Sequence, residues 1–329
     1  MADLDVVGIG NALVDVLSQE GEAFLAAQGL IKGMMQLVDE PRARELYAAM
    51  GPAVEVSGGS AANTIVGVAS FGGRAHYVGK VRDDQLGEVF SHDLRAVGVG
   101  YSTPAATSGP STGRCLIVVT PDAERTMSTF LGAAQMLEAS AVDAAKVAEA
   151  KIVYLEGYLW DPEAPRAAMY AAMDAAKAAG TRVAFTLSDS FVVDRHRDDL
   201  NNLIQEGRID ILFANEAEIS QLAGADGFEA AVDAVAVRVP LLVVTRGEHG
   251  AVAVRGSERA AVPAQPIAEL VDTTGAGDLF AAGFLAGEAR GLGLEQSLQL
   301  GAIAAAEVIQ HYGARPEADL RTLAGSLLV

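Results

Sequence analysis

The sequence predicts an α/β fold with a mostly parallel sheet covered by helices on both faces. Short apolar, β-rich runs alternate with Ala-rich stretches of helical length over most of the 329 residues. Such runs are what strands buried on both faces look like. Aromatics make up only 5% of the chain while 50% is hydrophobic, so Ala, Val and Leu must fill the core, with many of the 35 glycines. That composition suits tightly packed helices on a buried sheet and argues against an all-β protein.

The expected strands lie at residues 5–10, 76–81, 115–120, 152–157, 182–187, 209–214, 241–246 and 251–255. Between and after them, helices are expected at 165–179, 199–206, 216–222, 228–237, 276–290 and 294–310. Segments 14–50 and 100–126 fit the alternation poorly, the second being rich in Gly, Pro, Ser and Thr around a strand. They are expected to form a small β layer, with loops plus a helix as the alternative. Residues 1–13, 51–99 and 127–329 then make the main domain. No internal repeat, low-complexity tract or interdomain linker is evident.

The net charge of −19 leaves no broad basic surface, so a general nucleic-acid binder is excluded. The single cysteine, Cys115, excludes an intrachain disulfide and a cysteine-built metal site. Residues 1–10 lack a basic, cleavable leader pattern. No uninterrupted apolar run reaches the roughly 18 residues of a membrane span, so no membrane partner is expected and the cytoplasm is the default location.

The most informative stretch is VDTTGAGDLF, residues 271–280, directly before an Ala/Gly-rich apolar helix. Thr273 or Thr274 is expected to cap that helix. Gly275 and Gly277 let backbone N–H groups approach a ligand closely, with Ala276 between them. Successive N–H groups at a helix N-terminus make a pocket for negative charge. Asp278 falls in the first turn beside it. A carboxylate next to an anion pocket is what phosphoryl transfer needs: amides for the phosphoryl charge, and a base for the hydroxyl proton. The helix N-terminus is expected to keep Asp278 ionised and weakly basic.

Other nucleotide-binding patterns fail. Gly8-Ile9-Gly10-Asn11-Ala12-Leu13 begins like a dinucleotide fingerprint but has Leu13 where the third glycine is needed. Gly73 to Gly79-Lys80 has the wrong spacing for a P-loop, and Val81 replaces its Ser/Thr. The five histidines form no HExxH pattern or zinc cluster.

DTTGAGD resembles the C-terminal signature of the ribokinase-like (PfkB) family of carbohydrate and nucleoside kinases, and further motifs follow the family order over nearly the whole chain. The resemblance implies a three-layer α/β/α fold with a small β-sheet lid, ATP and Mg²⁺ as cofactors, and Asp278 as catalytic base. GNALVD, residues 10–15, resembles the first substrate motif, so Asn11 and Asp15 would bind sugar hydroxyls. GGSAAN, residues 58–63, resembles the second. There Gly58, Gly59 and Ser60 bring backbone to the sugar, and Asn63 opens the next helix. Arg125 matches a lid arginine that reaches the transferring phosphate, for which a guanidinium fork is suited. Asn215 and Glu218 match an NxxE motif that organises Mg²⁺ and phosphate through water. Thr245 and Gly247 resemble the TxG element at the ATP phosphates. Gly301 and Ala305 lie on the helix expected at the adenine, and Thr274 joins this nucleotide side. Asp272 and Thr274 match positions that in some relatives bind a monovalent cation such as K⁺.

Several details resemble the adenosine kinase branch. GNALVD, GGSAANT, ERTMSTFLGAA and YLEGYL all have counterparts there, which makes Leu13, Tyr158 and Leu159 candidate neighbours of a nucleobase. The expected acceptor is a ribonucleoside, adenosine first. A fructokinase- or ribokinase-like sugar kinase is the alternative, and a non-catalytic nucleotide-binding regulator the remote one. Relatives with lids occur as monomers or homodimers.

Overall fold

The computed structural model describes residues 2–122 and 124–328. In chain order its strands are β1 (Leu4–Ile9), β2 (Leu13–Gln19), β3 (Met35–Leu37), β4 (Ala53–Gly58), β5 (Ala75–Val78), β6 (Gly100–Tyr101) and β7 (Gly113–Val119). They continue with β8 (Arg125–Phe130), β9 (Ala150–Glu156), β10 (Arg182–Thr186), β11 (Ile211–Asn215), β12 (Leu241–Thr245), β13 (Ala251–Arg255) and β14 (Glu258–Val262).

Nine strands form the main sheet in the order β14-β13-β12-β11-β10-β9-β1-β5-β6. All neighbours are parallel except β12-β13 and β13-β14, two antiparallel pairs at one edge. Alternate residues serve opposite faces, as the strand period demands. Val6, Ile152 and Ile211 join one buried cluster, and Val7, Val153 and Leu212 the other. Both faces are therefore core, which explains the continuous apolar runs. The fold is ribokinase-like, with helices on both sides of the large sheet and a smaller second sheet.

That second sheet has the order β3-β8-β7-β2-β4. One face, with Val14, Val16, Leu116 and Val118, packs with Leu25 of helix Glu22–Gln28 and with Ala43 and Leu46 of helix Glu40–Ala49. The other face carries Cys115 and Ile117. The sheet includes β4 and the last four residues of β8, which lie in the segments 51–99 and 127–329 expected to belong to the main domain. β4 pairs with β2 and β8 with β3, both distant in sequence, so local pattern alone could not mark the whole sheet. The helix expected at 199–206 begins at Ser190, with Asp189 accepting from the Phe191 N–H at 2.7 Å. The charged run 194–199 obscures its apolar positions Val192, Val193, Leu200 and Leu203.

Helix Ala276–Arg290 is buried along its whole length from Leu279 to Ala289. It is wedged between helix Ser60–Ser70 and helix Leu294–Val308, and glycines form both seams. A Cβ on Gly67 would stand 2.5 Å from the Ala282 Cβ, and one on Gly287 would stand 2.5 Å from Ser297 Oγ. A Cβ on Gly283 would overlap the Leu300 carbonyl. Gly283→Ala gains about 1 kcal/mol of helix propensity. The backbone overlap costs more, typically 1–3 kcal/mol or above for overpacking. The expected outcome is a melting temperature several degrees lower by calorimetry; an unchanged or higher value would contradict this account of the seam.

Candidate active site

The chain leaves β1 to build β5 and β6 on one side, then returns to build β9 to β12 on the other. The β1/β9 boundary is thus a topological switch point, where open α/β sheets place ligands beyond the carboxyl ends of the strands. A cleft of about 680 Å³ lies there, walled on one side by the small sheet.

Glu156, the last residue of β9, sits at the switch point and is fully buried. Its Oε1 accepts the Asn11 N–H at 2.7 Å and the Asn11 side-chain amide at 2.9 Å, and its Oε2 accepts the Ala61 N–H at 2.7 Å. One carboxylate thus ties the end of β1 to the start of helix Ser60–Ser70. Gly10 makes room, since a Cβ there would stand 2.6 Å from both Ala61 Cβ and Glu156 Oε2.

Asp278 lies on the cleft floor. Ser60 Oγ donates to its Oδ1 at 2.6 Å and Asn63 Nδ2 to its Oδ2 at 3.0 Å. Helix Ala276–Arg290 begins beside it, capped by Gly275 at φ 77° and by no side chain. The expected Thr273 or Thr274 cap does not form; the left-handed turn at Gly275 takes its place. Among the described residues the N–H groups of Gly275, Gly277 and Asp278 meet no acceptor, while that of Ala276 reaches the Thr273 carbonyl at 3.3 Å. A Cβ on Gly277 would meet nothing within 4 Å, so open cleft faces these amides. Unpaired N–H groups at a helix mouth fit a phosphate group.

Asn11, Leu13, Asp15, Gly59, Ser60, Asn63 and Tyr158 all line the cleft. Helix Ser60–Ser70 starts three residues before Asn63, the residue expected to open it. The Oδ1 atoms of Asn11 and Asn63 are buried without hydrogen-bond partners, which suits ligand hydroxyls as donors. Gly58 and Gly59 are needed by the protein itself. A Cβ on Gly58 would overlap the Asp15 carboxylate, and one on Gly59, at φ 95°, would overlap the Asn11 carbonyl. Leu159 is fully buried in the core and does not line the cleft.

Toward the other end lie Thr245, Asn215, Glu218 and residues 273–277. Asn215 and Glu218 form a reciprocal capping box, with Asn215 Nδ2 donating to Glu218 Oε1 at 2.7 Å and the Glu218 N–H to Asn215 Oδ1 at 2.9 Å. Gly247, Gly301 and Ala305 do not line the cleft. Gly301 is claimed by helix packing, since a Cβ there would stand 2.8 Å from the Phe280 carbonyl oxygen. Arg125 and Asp272 lie against each other away from the cleft lining. Asp272 also accepts the Thr274 N–H at 2.9 Å and the Gly313 N–H at 2.8 Å. In this conformation the Arg125 guanidinium answers the charge of Asp272, the residue expected with Thr274 at a monovalent cation. Among the described residues no group of three or more His, Cys, Asp and Glu could hold a metal. Among the described residues no helix is long and apolar enough to cross a membrane.

The family description for pfkB family carbohydrate kinases matches residues 33–320. The chain belongs to that family. Adenosine kinase from Sinorhizobium meliloti is 49% identical, with a TM-score of 0.93 over 98% of this chain and 99% of that one. A probable sugar kinase from Rhizobium etli is 47% identical, with a TM-score of 0.94 over 98% of each chain. Fructokinase from Klebsiella pneumoniae is 28% identical over 72% of this chain and 78% of its own length. As a pfkB kinase the protein is a phosphotransferase acting on an alcohol group, and the family implies use of ATP.

The small-sheet side of the kinase cleft is largely apolar. Met35 and Leu37 of β3, Ile117 of β7 and Met127 of β8 form its small-sheet wall, with Leu13 beside Asp15. Motif reading missed this wall because its four strands contribute one or two residues each. It missed Glu156 too, for which an acid ending an apolar strand was a signal.

Burial sets the electrostatics. It pushes Asp15 up to about 7, against the charges of Arg315 and Arg125, and Asp278 adds to the rise. Burial likewise carries Glu156 and Glu218 up to about 7 despite their N–H donors. Asp278 is raised as well, chiefly by burial, against Ser60, Asn63 and Arg315. The expectation that the helix N-terminus would hold it low is therefore corrected: desolvation outweighs the donors. A carboxyl raised in the folded state stabilises the fold while protonated. That contribution is full below its unfolded value near 4 and is lost as pH rises through about 7. Replacing Asp15 by Asn should accordingly raise the melting temperature, relative to wild type, more in mildly alkaline than in mildly acidic buffer. A difference independent of pH would contradict the raised carboxyl.

Proposed function

We propose that the protein is an ATP-dependent nucleoside kinase that transfers the γ-phosphoryl group to the 5′-hydroxymethyl of a ribonucleoside, adenosine first. The observation that carries this is Asp278. Its carboxylate is held by Ser60 and Asn63 beside three unpaired amides at a helix mouth. The acceptor hydroxyl gives its proton to Asp278, and the amides of Gly275, Gly277 and Asp278 stabilise charge on the transferring phosphoryl. Burial raises Asp278 and makes it a better base than a solvated aspartate.

The cleft offers a ribonucleoside two surfaces. Asn11, Asp15 and Asn63 present acceptors to ribose hydroxyls, and Leu13, Met35, Leu37, Ile117, Met127 and the Tyr158 ring give a base an apolar wall. A free sugar would use the first and leave the second wet. The likeness to the Sinorhizobium meliloti adenosine kinase over nearly the full chain supports the same acceptor class. The fructokinase and the probable sugar kinase keep a sugar acceptor as the second reading.

ATP lies with its phosphates between residues 274–278 and the side of the cleft formed by Thr245, Asn215 and Glu218. Glu218, with Asn215, would hold Mg²⁺ through water, and the ion would supply positive charge to offset that of the phosphates. The small sheet serves as the lid that excludes water. Arg125, on that sheet, exchanges Asp272 for the phosphate as the lid closes.

ADP release should be measured with adenosine, inosine, ribose and fructose in turn. Adenosine is expected to give the highest kcat/KM, and Asp278→Asn to lower kcat by roughly 100-fold or more while ATP affinity holds. Fructose or ribose above both nucleosides would select the sugar reading. Near-normal turnover in Asp278→Asn would remove the carboxylate from the chemistry.

A further inference from the structure

Arg315 follows the helix Leu294–Val308 and lies outside every motif, yet its guanidinium is committed to one turn. Nε donates to the Ser57 carbonyl at 2.9 Å, Nη2 to Ser57 Oγ at 3.1 Å and Nη1 to the Ala62 carbonyl at 2.8 Å. Ser57 is near the end of β4, and Ala62 is in the first turn of helix Ser60–Ser70. The fork therefore spans the Gly58-Gly59 turn, whose Gly59 holds φ 95°. A planar guanidinium donates in several fixed directions at once; an ammonium does not. The residues between and after this clamp, Ser60 and Asn63, are the two that hold Asp278.

The residues before Arg315 extend the link. The Gly313 N–H donates to Asp272 at 2.8 Å, and Ala314 packs where a Cβ on Gly275 would fall, 2.7 Å away. Residues 313–315 thus join the loop at the helix mouth to the acceptor turn. Arg315 also acts by charge, lowering both Asp15 and Asp278 against the burial that raises them. The other charged or titratable groups coupled to that pair are Arg125, Glu156, Cys115, Tyr154 and Tyr158.

We infer that Arg315 is a positioning residue for phosphoryl transfer, clamping the Gly58-Gly59 turn so that Ser60 and Asn63 present Asp278 to the acceptor while its charge offsets Asp15 and Asp278. This rests on the kinase reading above.

The test compares wild type, Arg315→Met and Arg315→Lys in steady-state kinetics with ATP and the best acceptor, across the acid and neutral range. In Arg315→Met the acceptor KM should rise about tenfold or more and kcat should fall, while the KM for ATP stays put. The acid limb of kcat/KM should move up by about one pH unit, because a positive charge that favoured the ionised carboxylates is gone. Arg315→Lys keeps the charge without the fork, so its acid limb should return to the wild-type position while the acceptor KM stays raised. That variant also decides the matter if Arg315→Met fails to fold. An active wild type whose acceptor KM and acid limb both survive in the variants would overturn the inference alone. A wild type inactive on every acceptor would remove the kinase reading and this inference with it.

Discussion

Two helix N-termini meet over one buried carboxylate. Asp278 belongs to the first turn of helix Ala276–Arg290, and its partners Ser60 and Asn63 open helix Ser60–Ser70. The rest of the cleft depends on that meeting. It puts the Asp278 carboxylate and the unpaired amides at one point, and the seam at Gly67 and Ala282 brings the two helices close enough to make it. The competing forces are clear in sign. Helix dipoles and two hydrogen bonds favour the ionised form, and burial opposes it more strongly. The outcome is a carboxylate more basic than its position in a helix first turn would suggest.

The supporting residues are further from the chemistry. Glu156 binds the end of β1 to the start of the acceptor helix from the switch point of the sheet. Asp15 reaches the cleft because Gly58 has no side chain to oppose it. Asn215 and Glu218 spend their hydrogen bonds on one another, fixing the start of helix Glu216–Ala223 at the cleft wall. Each of these contacts ties scaffold elements together and fixes a polar group at or beside the cleft.

What could be read from the sequence was local. DTTGAGD is contiguous, and its two glycines around one alanine carry their meaning without any tertiary partner. The buried strands were legible because both faces are core. The second sheet was harder: β4 acquires its place by pairing with β2, and β3 by pairing with the distant β8. Gly58 and Gly59 were recognisable as close-approach glycines, but what approaches them is the protein's own Asp15 and Asn11. Gly301 and Leu159 were assigned to ligand pockets, whereas packing against Phe280 and in the core, respectively, accounts for them. Arg315 lies more than 250 residues along the chain from Ser57, and no spacing rule links the two.

The most direct test of the central contact is a double-mutant cycle on single-turnover phosphoryl transfer. Ser60→Ala with Asn63→Ala should slow transfer greatly in the wild-type background. In the Asp278→Asn background the same pair should cost little more, because the three side chains act as one unit. A full, independent loss in both backgrounds would contradict the account and separate Ser60 and Asn63 from the work of Asp278.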